Sequence, residues 1–320
     1  MDSIWITWEV QRRNRSLASA LGAELIEFDY KGSRMSRYAL LTRKTLTALY
    51  RANVDIVFVE NPSIVLSTLV VLWGKFSRSQ SKTVIDCHNC GIVPKHFKTL
   101  ARWLAKHADA CIVTNDAMAM LVSSWGGHPL VMPDPLPKLN PAQLIELSDP
   151  SILFICSWAA DEPIDQMLSA AKMLADKQVE VTIYITGRPE PEKYPATKAL
   201  PSNVILTGYL SEEEFDGYLL SCDAVLDLTT RDDCMVCGAY EGVAAEKPLL
   251  LSNNKATAAY FTSGVELTDN TAIDIYEKLV LMLSQLKTYQ KNIVLMKALA
   301  TEKQSTLLAA LKQELGISLN

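Results

Sequence analysis

Short apolar runs recur along the whole chain, and each is followed by a stretch with helical periodicity. DIVFV at 55–59, ILFIC at 152–156 and LLLS at 249–252 are three of them. A strand that reads as an unbroken apolar run is covered on both faces, as strands are in parallel sheets flanked by helices. The alternation therefore predicts an α/β protein built from parallel βαβ units in doubly wound, Rossmann-like sheets.

The pattern predicts strands over 4–8, 23–28, 55–59, 83–86, 110–113 and 130–132 in the first half. Helices alternate with them over 14–21, 38–52, 64–76, 96–107 and 117–125. It then breaks at Pro133-Asp-Pro-Leu-Pro137, with Pro141 beyond, where neither a helix nor a central strand continues. It resumes with strands over 152–156, 181–186, 204–207, 224–228 and 249–251, and helices over 164–175, 212–221 and 238–245. Ser211-Glu-Glu-Glu214 reads as a capping box. From 271 to about 315 the chain reads as mostly helical. The expected organisation is a first Rossmann-like domain over 1–135, a linker over 136–150 and a second domain over 151–290. The last helix, 291–320, is expected to pack back towards the first domain. Two such domains present a cleft between them, and ligands bind outside the carboxyl ends of the strands.

Composition narrows the function. The 320 residues are 49% hydrophobic and 21% charged, with a net charge of −5, so a general affinity for nucleic acid is not expected. Seven cysteines and no leader-like opening suggest a reducing, cytoplasmic setting. The longest apolar run, Ile64–Trp73, falls short of the ~20 residues that span a bilayer.

One stretch, RDDCMVCGAYEG at 231–242, carries two competing chemistries. Cys234 and Cys237, with Cys87 and Cys90, have the spacing of thiolate metal ligands. The two pairs lie in different domains and outside any short zinc-binding context, so no metal site is expected. The second chemistry is carboxylate. Asp233 precedes a helix and Glu241 follows eight residues later. Helix N-terminal amides attract phosphate, and flanking acids bind sugar hydroxyls. An acidic cap with a solvated glutamate is the plainer alternative.

The stretch from Val204 to Asn254 resembles the donor half of retaining GT-B glycosyltransferases of the family four type. NVILTGYLSEEEF is followed by the strand AVLDL, then Thr230-Arg-Asp-Asp233, seven residues, Glu241, and Ala244-Ala-Glu-Lys-Pro248 ahead of LLLS. The resemblance implies a GT-B fold and transfer of a sugar from a nucleotide diphosphate sugar, retaining and without a cofactor or metal. Thr230 and Asp233 stand at the family's Ser and first Glu, and Glu241 at its second Glu. It further implies that Glu241 binds the ribose and Asp233 the donor sugar, with the amides of Met235 and Val236 facing the phosphates. Two departures follow. Asp233 is one methylene shorter than the family's Glu. The Arg and Lys usual after the first strand of this half are absent from Cys156-Ser-Trp-Ala-Ala-Asp-Glu-Pro163. Arg188, Arg231 or the helix N-terminus is then left to balance the diphosphate.

In the first half, His88 follows a strand where the family often has a His facing the donor sugar. Arg12, Arg13 and Arg15 open a helix and suit an anionic, lipid-linked acceptor as well as a solvated basic face. Basic and apolar residues lie together at Lys95–Lys106 and around Arg34, Arg37, Arg43 and Lys44, a pattern compatible with the inner face of a membrane. The expected partners are a nucleotide-sugar donor and a glycan or lipid-linked acceptor of surface polysaccharide synthesis. A nucleotide-sugar epimerase and a non-catalytic binding protein are the rival readings.

Overall fold

The computed structural model describes residues 2–30, 32–61, 63–76, 81–87, 97–190, 194 and 199–318. The chain divides into two compact units, Met1–Pro135 with Lys303–Asn320, and Leu136–Glu302.

The first unit alternates β1 (Ser3–Thr7), α1 (Arg12–Leu21), β2 (Glu24–Glu27), α2 (Arg34–Arg51), β3 (Ile56–Asn61) and α3 (Ile64–Phe76). It continues through β4 (Lys82–Cys87), α4 (Lys98–His107), β5 (Ala110–Val113), α5 (Asp116–Ser124) and β6 (Pro129–Val131). All six strands are parallel, in the order β2-β1-β3-β4-β5-β6. The pleat sends successive side chains to opposite faces. Ile4, Ile6, Val57 and Val59 thus pack with Leu41 and Leu49 of α2 and Leu66 and Val70 of α3. Trp5 and Phe58 point the other way and stack at 5.3 Å. That second face is closed by Leu17 and Leu21 of α1 and by Leu311 and Leu315 near the chain's end.

The second unit runs β7 (Ser151–Phe154), α6 (Ile164–Asp176), β8 (Thr182–Thr186), β9 (Val204–Gly208), α7 (Glu212–Ser221), β10 (Ala224–Asp227) and α8 (Cys237–Ala244). It then adds β11 (Leu249–Ser252), α9 (Lys255–Tyr260), β12 (Val265–Thr268), α10 (Ala272–Ser284) and α11 (Leu286–Leu315). Its six strands are also parallel, in the order β12-β11-β10-β7-β8-β9. Phe154 and Ile183 face α6 and α10, while Leu153, Val225 and Leu249 face α7 to α9 and the start of α11.

Local chemistry sets the element ends. The capping box forms: the Ser211 hydroxyl accepts from the Glu214 amide, and the Glu214 carboxylate accepts from the Ser211 amide at 2.8 Å. Gly22, at φ 70, closes α1 in the left-handed conformation that a side chain disfavours. Helix α2 begins at Arg34 rather than Tyr38, because Ser33 caps it by accepting from the Ser36 amide. The pattern also missed α9 and β12 altogether.

Candidate functional site

In each sheet the chain leaves its first strand to one side and returns to the other. The crevice at that reversal, beyond the carboxyl ends of the strands, is where doubly wound sheets bind ligands. In the second unit it lies between β7 and β10. The loop after β7 and the loop after β10 meet there, and Asp161 ties them. Its backbone oxygen accepts from the Thr230 amide (2.7 Å) and hydroxyl (3.0 Å). Its carboxylate accepts from the Thr229 hydroxyl (3.0 Å) and from Arg231 Nη2 (2.9 Å). A second tie comes from β11: Ser252 Oγ accepts from the Thr229 amide at 2.8 Å and donates to Asn270 Oδ1 at 2.7 Å.

These ties present the N-terminus of α8. Asp233 is half-buried and takes the left-handed conformation at φ 52, turning the chain towards the helix. Met235 is buried and Val236 is extended at the cap position, with no side chain capping the helix. Among the described residues, neither the Met235 nor the Val236 amide has an acceptor. The Gly238 amide does: it donates to the carboxylate of Asp227 at 2.8 Å. Asp227 ends β10 and is buried. Burial raises its pKa first, the charge of Glu241 next, and Glu162 and Asp161 add to them against the lowering effect of the Gly238 N–H. Its carboxyl titrates well above the usual range. Glu241 is half-buried on α8, one turn beyond Cys237.

The loop after β7 holds a second internal anion. Trp158 is left-handed at φ 62, which points successive amides into one concavity. Glu162 fills it, accepting from the Ser157 amide (2.9 Å), the Ser157 hydroxyl (2.8 Å) and the Ala159 amide (2.8 Å). The Cys156 thiol donates to the same carboxylate at 3.3 Å. Burial and that negative charge push the thiol pKa up. Where the resemblance leads one to look for cations, the chain has a carboxylate seated on amides.

Arg188 lies exposed beyond β8 and has no polar partner among the described residues. Arg231 is 45% exposed and committed to Asp161. His88 lies outside the described residues. Of the three arginines, Arg13 does not serve as an open cation for an acceptor. It is buried, donates to both Asp86 oxygens at 2.9 and 2.7 Å, and also pairs with Asp134. A fourth bond reaches the Met132 carbonyl at 3.2 Å. Burial alone would lower its pKa, but the two carboxylates reverse this and raise it above the ordinary value. Arg15 is exposed and pairs loosely with Glu27 at 3.3 Å, and Arg12 is half-buried. Cys87, Cys111, Cys156 and Cys222 are buried, Cys234 is half-buried and Cys237 exposed. Among the described residues, no group of three His, Cys, Asp or Glu side chains is placed to hold a metal ion.

The sequence reading did not anticipate Asp227 and Glu162 as internal anions, nor Asp161 as the tie between the two loops. Asp227 closes an apolar strand, and its partner amide is eleven residues away, so no local pattern announces the contact.

No protein-family model matches the chain, and no curated protein sequence matches it. Its fold does have solved counterparts. The Anabaena protein HepE in complex with UDP and glucose superposes with a TM-score of 0.71 over 100% of each chain, at 14% identity. A glycosyltransferase from Rickettsia africae gives 0.68 over 99% of each chain, also at 14%. A protein described as a UDP-N-acetylglucosamine 2-epimerase from Listeria monocytogenes gives 0.64 over 97% of this chain and 95% of its own, at 13%. Two six-stranded parallel sheets, each wound with helices, make this a GT-B fold.

Proposed function

We propose that the chain is a glycosyltransferase that moves a sugar from a nucleotide diphosphate sugar to a glycan or lipid-linked acceptor. The observation that carries this reading is the crevice at β7 and β10, where acceptor-less amides at Met235 and Val236 open α8 and Asp233 and Glu241 flank them. Helix amides and the helix dipole stabilise a departing diphosphate as charge develops on it. Glu241 is assigned the ribose hydroxyls, Asp233 the donor sugar, and Thr230, Arg231 and Arg188 the remainder of the donor. His88 is assigned to the sugar from the first unit, and Arg12 and Arg15 to an anionic acceptor. Two relatives in fold, HepE and the MnaA protein of S. aureus, were solved with UDP, which supports a uridine nucleotide as the first donor to try. Retention of configuration, independence of metal, a cytoplasmic location at the inner face of the membrane and a role in surface polysaccharide synthesis complete the proposal.

A thermal-shift series with UDP, UDP-glucose and UDP-N-acetylglucosamine tests it. Saturation at a hundred times Kd stabilises by about 2.7 kcal/mol. Glu241→Ala removes that stabilisation while melting near the wild type without ligand. No shift with any nucleotide sugar, or full binding by Glu241→Ala, refutes the assignment. One observation favours a second reading, a protein that binds nucleotide or glycan without transfer: Glu162 already occupies the amides after β7. Product analysis with a bound donor separates transfer, hydrolysis, epimerisation and simple binding.

A further inference from the structure

Helix α2 presents a surface of one charge sign. Its eighteen residues hold five cations, Arg34, Arg37, Arg43, Lys44 and Arg51, and no acid, in a chain whose net charge is −5. Leu41, Thr45 and Leu49 anchor it to the sheet. The opposite face leaves Met35 at 86%, Leu46 at 45% and Tyr50 at 90% exposure. At helical spacing, Met35, Ala39, Arg43, Leu46 and Tyr50 form one outward stripe. A water-facing helix has no physical need of bare methionine, leucine and tyrosine on the face that carries its charge.

Beside the stripe, α2 and the edge strand β2 enclose a groove of about 580 Å³. Ile26, Phe28 and Leu40 contribute its apolar lining, and Arg43, Lys44 and Arg51 its cations. Glu24, at the exposed end of β2, is the acid that lines it. Lys44 Nζ lies 5.7 Å from the Phe28 ring centroid, so the ammonium is held above the apolar lining. Arg37 is drawn inward to the Trp8 carbonyl at 2.8 Å, which leaves Arg43, Lys44 and Arg51 as the exposed charges of the groove. Apolar side chains beside several cations match an interface where acyl chains meet phosphate headgroups. A protein partner of acidic character would satisfy the cations but not the bare stripe.

We propose that the α2–β2 surface docks this protein onto an anionic lipid bilayer, with Arg43, Lys44 and Arg51 on headgroup phosphates and Met35, Leu46 and Tyr50 inserted among the acyl chains. This deepens the membrane part of the reading above and rests on it for its purpose, but it is tested apart from catalysis. No helix among the described residues is long and apolar enough to cross a membrane, so the contact lies on the surface.

Flotation of the full chain with vesicles of phosphatidylcholine alone, or with about a third phosphatidylglycerol, is the test. The protein is expected to float with the anionic vesicles and not with the neutral ones, less so as salt screens the charges. Arg43→Glu with Lys44→Glu is expected to reduce binding at least about tenfold, since each cation near an anionic surface contributes a factor of roughly five. Leu46→Ser with Tyr50→Ser is expected to weaken binding while the melting temperature stays near the wild type. Equal flotation with both vesicle types, or charge-reversed protein that floats like the wild type, overturns the proposal. So does loss of vesicle binding when inorganic phosphate is added at matched ionic strength, which would mark a free-phosphate pocket. The Glu241→Ala variant is expected to float unchanged, so a failed donor assignment and a failed docking surface give different results.

Discussion

Replacing Gly238 by alanine tests whether Asp227 organises the start of α8. A Cβ built on Gly238 would overlap Asp227 Oδ2 and stand 2.6 Å from Ile155 Cδ1 and 3.1 Å from Asp227 Cγ. The carboxylate cannot stay where it accepts the Gly238 amide at 2.8 Å. Losing a buried hydrogen bond of this kind costs about 1–3 kcal/mol. Crowding Ile155 in a packed site adds about 1–3 kcal/mol. Alanine's better helix propensity returns about 1 kcal/mol. The net expectation is centred on about 3 kcal/mol, or roughly 6–12 °C in the melting of a unit the size of Leu136–Glu302. Scanning calorimetry resolves this, with Cys237→Ala, at the exposed neighbouring position, as the control expected within about 0.5 kcal/mol of the wild type. Asp227→Ala combined with Gly238→Ala should cost less than the sum of the two, because the smaller side chain vacates the colliding volume. If Gly238→Ala melts within a degree or two of the wild type, Asp227 does not sit on that amide and the argument fails.

Arg13→Ala leaves Asp86 and Asp134 buried without their common partner, and about 3–5 kcal/mol of lost stability should appear in chemical denaturation of the first unit. Glu162→Ala frees the amides of Ser157 and Ala159; with this loop partly open to solvent, the stability cost should be only about 1–2 kcal/mol. Under the donor reading the same variant binds UDP more tightly by titration calorimetry, and weaker binding would count against it. The Asp227 carboxyl titrates above its unfolded value, so the stability it contributes is whole below about pH 4 and is lost as pH rises through its raised pKa. Asp227→Asn keeps an acceptor for the Gly238 amide and removes that loss. Its melting temperature relative to the wild type should therefore climb between weakly acidic and neutral pH, and a flat difference would refute the shift.

The architecture was legible because parallel strands buried on both faces leave an apolar signature that local context does not disturb. ILFIC and LLLS are strands for that reason. Strand β12 escaped because VELT lies at a sheet edge, half-buried, with Glu266 paired to Lys278 at 2.9 Å. Helix α9 is too short for a period to show. Arg13 was legible in principle. It stands four residues before Leu17 and eight before Leu21, on the face of α1 that meets the sheet, whereas Arg15 does not. Reading three arginines as one basic cluster ignored that spacing. What Asp227 and Glu162 do depends on backbone amides brought near by turns at Asp233 and Trp158. Left-handed conformations at an Asp and a Trp leave no residue-type signal of the kind a glycine leaves.

Helix α11 has a consequence for how the protein is made. Its residues up to Glu302 group with the second unit and those from Lys303 with the first, where Leu311 and Leu315 are buried beside Trp5, Ile56 and Val84. Gln304 also donates to the Asp134 carbonyl. During synthesis the first unit therefore emerges with one face of its sheet covered by α1 but not yet by α11, and waits for the whole second unit before that face is complete. At ~5–20 residues per second that interval is about 10–40 s. Over that time Trp5, Phe58 and Ile112 lack one of their covering layers, which is ample opportunity for a holdase to engage or for neighbouring nascent chains to associate. The last helical turns of the chain therefore bear on its yield in a cell.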